Sequence, residues 1–203
     1  MRPIQALPEG YRERCTLDLT RNLRAALWLQ VTGGALFFLF GWLFLGMAAR
    51  LRPDFVMDGS VWRPARLGGT WASVTVIILT AAAAILLHEL VHGGFFWLYT
   101  RQRPRFGLGL GYAYAAAPGW YLPRSHYLVI GLSPLIALTL AGAAALLLVP
   151  SSIILPLLFG MTVNAAGSVG DLWIIWQVLR QPGPILVNDR GAGLTVYGPR
   201  LPA

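Results

Sequence analysis

The sequence contains no lysine, a single cysteine (Cys15) and three histidines among its 203 residues. One cysteine excludes an intrachain disulfide, and it also excludes a zinc site built from several thiolates. Charged residues make up only 12% of the chain, whereas hydrophobic residues make up 56%. Because soluble globular domains carry about 25% charged residues, this scarcity excludes an ordinary soluble domain and predicts an integral membrane protein.

The hydrophobic residues lie in four long runs, at about residues 25–49, 71–99, 127–149 and 152–179. A helix needs about 20 apolar residues to cross the hydrocarbon core of a bilayer, and each run reaches that length. We therefore predict an all-α membrane protein of about four transmembrane helices, organised as a single domain over residues 1–203 with a cytosolic tail at 180–203. The segment before the first run lacks the features of a cleaved signal peptide, so we expect that run to be a permanent span.

All sixteen basic residues are arginines, and the net charge is +8. In a soluble protein such an excess suggests nucleic-acid binding, but here the arginines flank the hydrophobic runs, which predicts the lipid bilayer as partner and no nucleic acid. With the N-terminus inside, twelve arginines fall in inside segments and four in the outside segment at 50–70. The positive-inside rule therefore predicts a multi-pass cell-membrane protein with both termini in the cytoplasm.

The second run contains an HExxH motif that begins at His88 and ends at His92. On a helix, two histidines four residues apart project from one face and reach the same metal ion, while Glu89 is placed to act as a general base. An acid near the centre of a membrane helix costs about 2.5–3.5 kcal/mol, and a bound cation offsets that cost. We therefore predict one Zn²⁺ ion; the alternative is a hydrogen-bonded cluster between helices.

A catalytic zinc ion takes three protein ligands, so one ligand must come from outside the motif. Asp171 is the leading candidate because it is the only other acid in a hydrophobic run, whereas Asp189 and the remaining acids lie in terminal or loop segments. At a rise of 1.5 Å per residue, His88 lies about 26 Å from the start of its run and Asp171 about 28 Å from the start of its run. The two side chains are therefore expected at a similar depth in the membrane. His126, at the expected membrane interface before the third run, is the alternative ligand.

Small and polar residues precede Asp171. Helical spacing places four of them on one face: Asn164, Gly167, Ser168 and Asp171. Small residues on such a face predict close packing of two membrane helices. Asn164 is a candidate to bind a substrate carbonyl or to orient a metal ligand. A simple hydrogen bond between helices is the alternative role for this residue.

The segment between the second and third runs alternates bulky and tiny residues from Phe106 to Tyr114. This period of two predicts a glycine-rich β-like hairpin. We expect it to pair with an extended substrate, with Gly109, Gly111 and Tyr112 as substrate-binding residues; the alternative is a glycine-rich loop packed on the helices. Residues 185–197 in the tail predict a second, short C-terminal β-hairpin.

Three segments carry a resemblance to a known family: the HExxH motif, Gly-Ser-Val-Gly-Asp at 167–171, and residues 112–120. Together they make the chain similar to a bacterial and archaeal family of small membrane zincin peptidases, and more distantly to site-2 intramembrane proteases. The resemblance implies a metal held by two histidines and an aspartate from a later helix, with cleavage near the cytosolic side. Site-2 proteases typically have glycine after that aspartate, where this chain has Leu172.

We therefore predict an intramembrane zinc metalloprotease that hydrolyses peptide bonds of a membrane protein or peptide substrate. One alternative is a non-catalytic zinc-binding membrane scaffold or regulator. Glu89 favours catalysis over that alternative, because it is not needed as a ligand. A metal transporter is a further alternative, although transport requires several polar residues along a path and these spans offer few.

Overall fold

The computed structural model of the protein describes residues 2–18, 22–57, 69–109, 112–191 and 193–200. Its helices are α1 (Leu23–Leu51), α2 (Pro53–Met57), α3 (Thr70–Thr100), α4 (Arg124–Leu146), α5 (Ser151–Gly167) and α6 (Val169–Leu179). Four stretches are long and apolar enough to cross a membrane: α1, α3, α4, and α5 together with α6. The prediction of four apolar helices is thus confirmed, with ends that differ by up to three residues from the predicted runs.

Helix α4 ends at Leu146, three residues before the end predicted from hydropathy, and an arginine binds the chain there. The guanidinium of Arg52 donates hydrogen bonds to the carbonyl oxygens of Leu146 and Val149, at 3.0 and 2.7 Å. These carbonyls lie at the end of α4, where no helical N–H is left to pair with them. Pro150 then precedes α5 in an extended conformation.

The fourth run is broken at Ser168 rather than helical throughout. Both the backbone N–H and the hydroxyl of Ser168 donate to the carbonyl of Asn164, at 3.1 and 2.9 Å. α5 ends at Gly167, and α6 begins at Val169. Asn164 therefore lies on α5, and Asp171 occupies the first turn of α6.

The all-α prediction is wrong in part, because the chain also forms two antiparallel sheets. The strands are β1 (Tyr11–Asp18), β2 (Arg105–Gly109), β3 (Tyr112–Ala116), β4 (Leu122–Pro123), β5 (Leu186–Asp189) and β6 (Gly193–Pro199). β2 and β3 form the predicted hairpin, whereas the other four strands form one sheet in the order β1-β6-β5-β4. The C-terminal hairpin is confirmed as β5 and β6, but these are the two central strands of a sheet that the sequence did not predict.

The chain divides into two compact units, each with its own core. The first comprises Met1–Gln30, Glu89–Pro134 and Val169–Ala203, and its core includes Phe96, Leu122, Ile130, Val187 and Val196. It contains both sheets. The second comprises Val31–His88 and Leu135–Ser168, and its core includes Phe44, Ala48, Leu146, Ile154 and Leu158.

Candidate metal centre

Helix α3 carries the HExxH motif towards its C-terminal end. His88 and His92 lie one turn apart on this continuous helix, so their imidazoles project from the same side. His92 is buried, and His88 and Glu89 are half-buried. The helix therefore presents two potential metal ligands with a carboxylate between them, as the motif predicts.

His92 is oriented by a backbone oxygen of α4. Its Nδ1 lies 3.0 Å from the carbonyl oxygen of Ile130, in a buried contact. A carbonyl oxygen only accepts hydrogen bonds, so Nδ1 carries the hydrogen and the ring lone pair lies on Nε2. Metal-binding histidines are commonly held in this way, with the nitrogen that does not bind the metal donating to an oxygen.

His88 is oriented by an amide of α5. Its Nδ1 lies 3.0 Å from the side-chain oxygen Oδ1 of Asn164. This oxygen also accepts, so the same reasoning places the lone pair of His88 on Nε2. Asn164 itself is buried. The contact is compatible with orientation of a metal ligand and with the simple hydrogen bond between helices that was the alternative role.

Asp171 supplies the third potential metal-binding atom of the site, a carboxylate oxygen. Its carboxylate lies in the first turn of α6, where the helix dipole stabilises negative charge. Oδ1 of Asp171 lies 3.4 Å from Nε2 of His92. Two donors that are each about 2.1 Å from a tetrahedral zinc ion lie ~3.4 Å apart, so this pair has the spacing that zinc requires.

One ligand atom each from His88, His92 and Asp171 lies within 4.8 Å of the other two. The set has two imidazoles and one carboxylate, which is a known ligand set of catalytic zinc and leaves a coordination position for water or substrate. Among the residues that the structure describes, no other group of three such side chains is this close. The donor set therefore fits a single zinc ion.

His126, the alternative ligand, lies outside this group. Its ring packs edge-on against Tyr99, with the ring centroids 4.5 Å apart. Its Nδ1 contacts the hydroxyl of Ser125 at 3.4 Å. The structure thus brings Asp171 to the motif and leaves His126 on the first turn of α4.

The β2–β3 hairpin is anchored beside the motif through glycine. A Cβ on Gly93, the residue after His92, would lie 2.4 Å from the ring of Phe106 in β2. The absence of a side chain at Gly93 therefore allows close approach of the hairpin to α3. The ring of Tyr112 lies over Gly109 in the same manner, at 2.3 Å from the position of an added Cβ.

The predicted substrate-binding residues of this hairpin are thus placed as follows. Gly109 ends β2 and Tyr112 begins β3, directly opposite each other in the sheet. The tyrosine ring covers the face of Gly109 that we expected to be available to a substrate backbone. Gly111 lies outside the described residues.

A polar pair of a buried tyrosine and a half-buried aspartate close to the centre was not predicted from the sequence. The hydroxyl of Tyr127 in α4 donates to Oδ2 of Asp189 at 2.8 Å, and the N–H of Gly191 donates to Oδ1 at 2.8 Å. Burial raises the pKa of the Asp189 carboxyl, and the hydrogen bonds from Gly191 and Tyr127 oppose that rise. Asp189 follows the β-prone run at 185–187, and that position was the available signal that the sheet would bury it.

Comparison with known proteins was made for the whole chain. Residues 81–185, just over half of the sequence, match the model of a protein family described as "Putative zincin peptidase". No curated protein and no solved structure gave a significant match. The matched range contains the HExxH motif, Asn164 and Asp171, and the family's description indicates a metallopeptidase that uses zinc. The chain therefore belongs to the putative zincin peptidase family.

Proposed function

We propose that the protein is an intramembrane zinc metalloprotease that hydrolyses peptide bonds of membrane-associated substrates. The observation that carries this proposal is the juxtaposition of His88, His92 and Asp171 in apolar helices, beside the glutamate of the HExxH motif. Family membership supports peptide hydrolysis, and the four apolar helices support catalysis at the membrane. The likeness to site-2 proteases remains a prediction from the motif.

His88, His92 and Asp171 would hold the zinc ion through two imidazole nitrogens and one carboxylate oxygen. When bound, zinc supplies a Lewis acid that polarises the scissile carbonyl and makes water easier to deprotonate. Ile130 and Asn164 keep the Nε2 atoms of the two histidines directed at the site, through the hydrogen bonds to Nδ1. Ligand orientation is therefore fixed before any substrate binds.

Glu89 performs the proton transfers in this proposal. Its carboxylate accepts a proton from the attacking water and delivers it to the amine that leaves after the peptide bond breaks. The side chain is not one of the three residues that would hold the ion. Its half-buried position in an apolar helix keeps bulk water from competing for the proton.

We further propose that both termini are cytoplasmic and that the site opens to that side. Near the C-terminal end of both α3 and α6, a tryptophan is followed one turn later by an arginine. The guanidinium of Arg101 lies 5.5 Å from the ring centre of Trp97, and that of Arg180 lies 4.6 Å from the ring centre of Trp176. Such aromatic and cationic residues favour the membrane interface, and cations favour the cytoplasmic one. The nine residues from His92 to Arg101 cover only ~14 Å, which is a short path for water and substrate.

Replacement of Glu89 by glutamine tests the proposal. The purified Glu89→Gln protein should retain about one zinc ion per chain, because the ligands are unchanged, while cleavage of β-casein in detergent falls at least about 100-fold, as expected for loss of a general base. Zinc is measured by mass spectrometry and cleavage by gel electrophoresis. Glu9→Gln, at an exposed glutamate in a turn, is the matched control and should cleave at the wild-type rate.

Two outcomes contradict the proposal. If Glu89→Gln protein cleaves as fast as wild type, Glu89 is not the base. If wild-type protein binds zinc and neither casein nor a co-reconstituted single-span peptide is cleaved, the zinc-binding scaffold or regulator becomes the better description.

A further inference from the structure

The hydrogen bond that orients His92 uses a carbonyl in the interior of a helix. In a regular α-helix the carbonyl oxygen of Ile130 accepts from the backbone N–H four residues later. That residue is Pro134, which lies inside α4 and has no N–H to donate. A side chain from α3 supplies a donor to this oxygen in its place, through Nδ1 of His92 at 3.0 Å.

The proline also affects the position of this oxygen. Its ring clashes with the carbonyl four residues earlier and turns that carbonyl away from the helix axis. The hydroxyl of Ser133 donates to the same oxygen at 2.7 Å. Within a membrane a carbonyl without a hydrogen-bond donor is costly. His92 and Ser133 supply donors to the Ile130 oxygen, which Pro134 leaves without its helical donor.

We infer that Pro134 is a positioning residue for the metal centre: it turns the Ile130 carbonyl towards His92 and thereby directs the Nε2 atom of His92 at Asp171. This inference rests on the metal centre of the proposed function and adds a residue that coordinates nothing. The adjacent Gly131 supports it, because a Cβ there would lie 2.9 Å from Ile175 of α6. The same turn of α4 thus orients one ligand and allows close approach of the helix that carries another.

The chain contains a matched control proline. Pro156 lies inside α5, so it too removes a helical hydrogen bond. The residue four positions earlier is Ser152, exposed in the first turn of α5. Replacement of Pro156 by alanine therefore changes the backbone in the same way without changing the partner of a metal ligand.

The test compares Pro134→Ala with Pro156→Ala in the full-length protein. Alanine restores an N–H to the helix, so the Ile130 carbonyl should turn back and its bond to His92 should weaken. We expect zinc affinity, measured by competition with a chelator, to fall about 10-fold or more in Pro134→Ala, as for other residues that orient ligands. Pro156→Ala should stay within about twofold of wild type, because no ligand contact changes.

A second measurement uses metal-free protein labelled with ¹⁵N-histidine. Nitrogen chemical shifts distinguish the two neutral tautomers, and a chain with three histidines allows each to be assigned. Wild type and Pro156→Ala should show His92 protonated at Nδ1, whereas Pro134→Ala should show a mixture of tautomers. This readout does not depend on bound zinc or on cleavage.

Three outcomes overturn the inference: equal zinc affinities in the two proline variants, equal tautomer populations in them, or wild-type His92 protonated at Nε2. The last is decisive even if Pro134→Ala does not fold. Failure of the proposed function is distinguishable, because a protein that never cleaves peptides still reports its His92 tautomer.

Discussion

Two histidines of the motif and the third histidine of the chain illustrate how surroundings decide the role of a residue. His88 and His92 each donate through Nδ1 to an oxygen on another helix, and this fixes which nitrogen is left for a metal. His126 has an aromatic neighbour and a hydroxyl from the adjacent residue instead. Within the described part of the chain, His126 belongs to no group of three potential metal ligands.

Cys15 provides a prediction at the same scale. Burial, followed by the charge of Glu13, raises the pKa of the Cys15 thiol. Because only the thiolate is nucleophilic, its alkylation by iodoacetamide should require a pH above the value of about 8.5 at which an ordinary thiol is half ionised. The pH profile of the alkylation rate measures this directly, since the chain has no other cysteine.

The same protein unfolded in dodecyl sulfate is the control. Its profile should have the ordinary midpoint, so the native profile should lie at higher pH. A native midpoint at or below the denatured one would contradict the burial of this thiol between β1 and its neighbours.

The candidate ligands of the centre were predictable from residue inventory, and the residues that contact them were only partly so. Asp171 is the one further acid in an apolar run, so the cost of burying it indicated its role. Asn164 was recognisable as a polar residue at membrane depth. The Ile130 carbonyl has no side-chain signature, and the only trace of it in the sequence is a proline four residues later, which by itself indicates no more than a kink.

The strands show which elements the sequence specifies and which it does not. The β2–β3 hairpin was predictable because bulky residues and glycines alternate strictly. In β1 the alternation is interrupted, since the pairing with β6 shifts between Glu13 and Cys15. A bulge of this kind places two residues opposite one and hides the period of two. The partners of β1 are also remote in sequence, so no local pattern indicates the four-stranded sheet.

The β2–β3 hairpin carries a prediction at the scale of an element. Leu108 is 87% exposed although it lies in the middle of β2. If the hairpin binds substrate, Leu108→Ala should raise KM for a peptide substrate roughly 30-fold with little change in kcat, because the lost apolar surface is worth about 2 kcal/mol. The thermal midpoint should not change, since Leu108 contributes little to the folded core.

Leu148→Ala is the matched control for this substitution. Leu148 is 85% exposed and lies just after α4. Equal KM values for the two variants would count against substrate binding by the hairpin. Gly109→Val is less informative, because its side chain would collide with the ring of Tyr112 and disturb the hairpin whether or not substrate binds there.

At the scale of the whole molecule, the apolar composition has a simple structural counterpart. Long helices leave large side chains exposed along their length, among them Phe38, Trp42, Ile78, Leu86 and Leu140. In water such surfaces would aggregate, whereas in a bilayer they face lipid tails. The same composition makes three polar ligands in the helices costly, and a cation that gathers them links metal binding to the stability of the entire fold.

Zinc should therefore stabilise the folded protein by mass action. A ligand present at 100 times its Kd stabilises the native state by about 2.7 kcal/mol, so removal of zinc with a chelator should lower the thermal midpoint of wild type. In Asp171→Asn the midpoint should be insensitive to zinc, because the carboxamide is a much poorer ligand than the carboxylate.

Asp54→Asn separates loss of a ligand from loss of any aspartate. Hydrogen bonds from Arg52 lower the pKa of the Asp54 carboxyl, so its stabilising contribution is present at pH 7 and is lost only as the pH falls below about 4. At pH 7 this variant should be less stable than wild type, and by the same amount with zinc as without it, because Asp54 is not one of the three candidate ligands. If zinc raised the thermal midpoint of wild type, Asp171→Asn and Asp54→Asn by the same amount, the ion would bind elsewhere. Asp171 would then have to be buried in the membrane for some other reason.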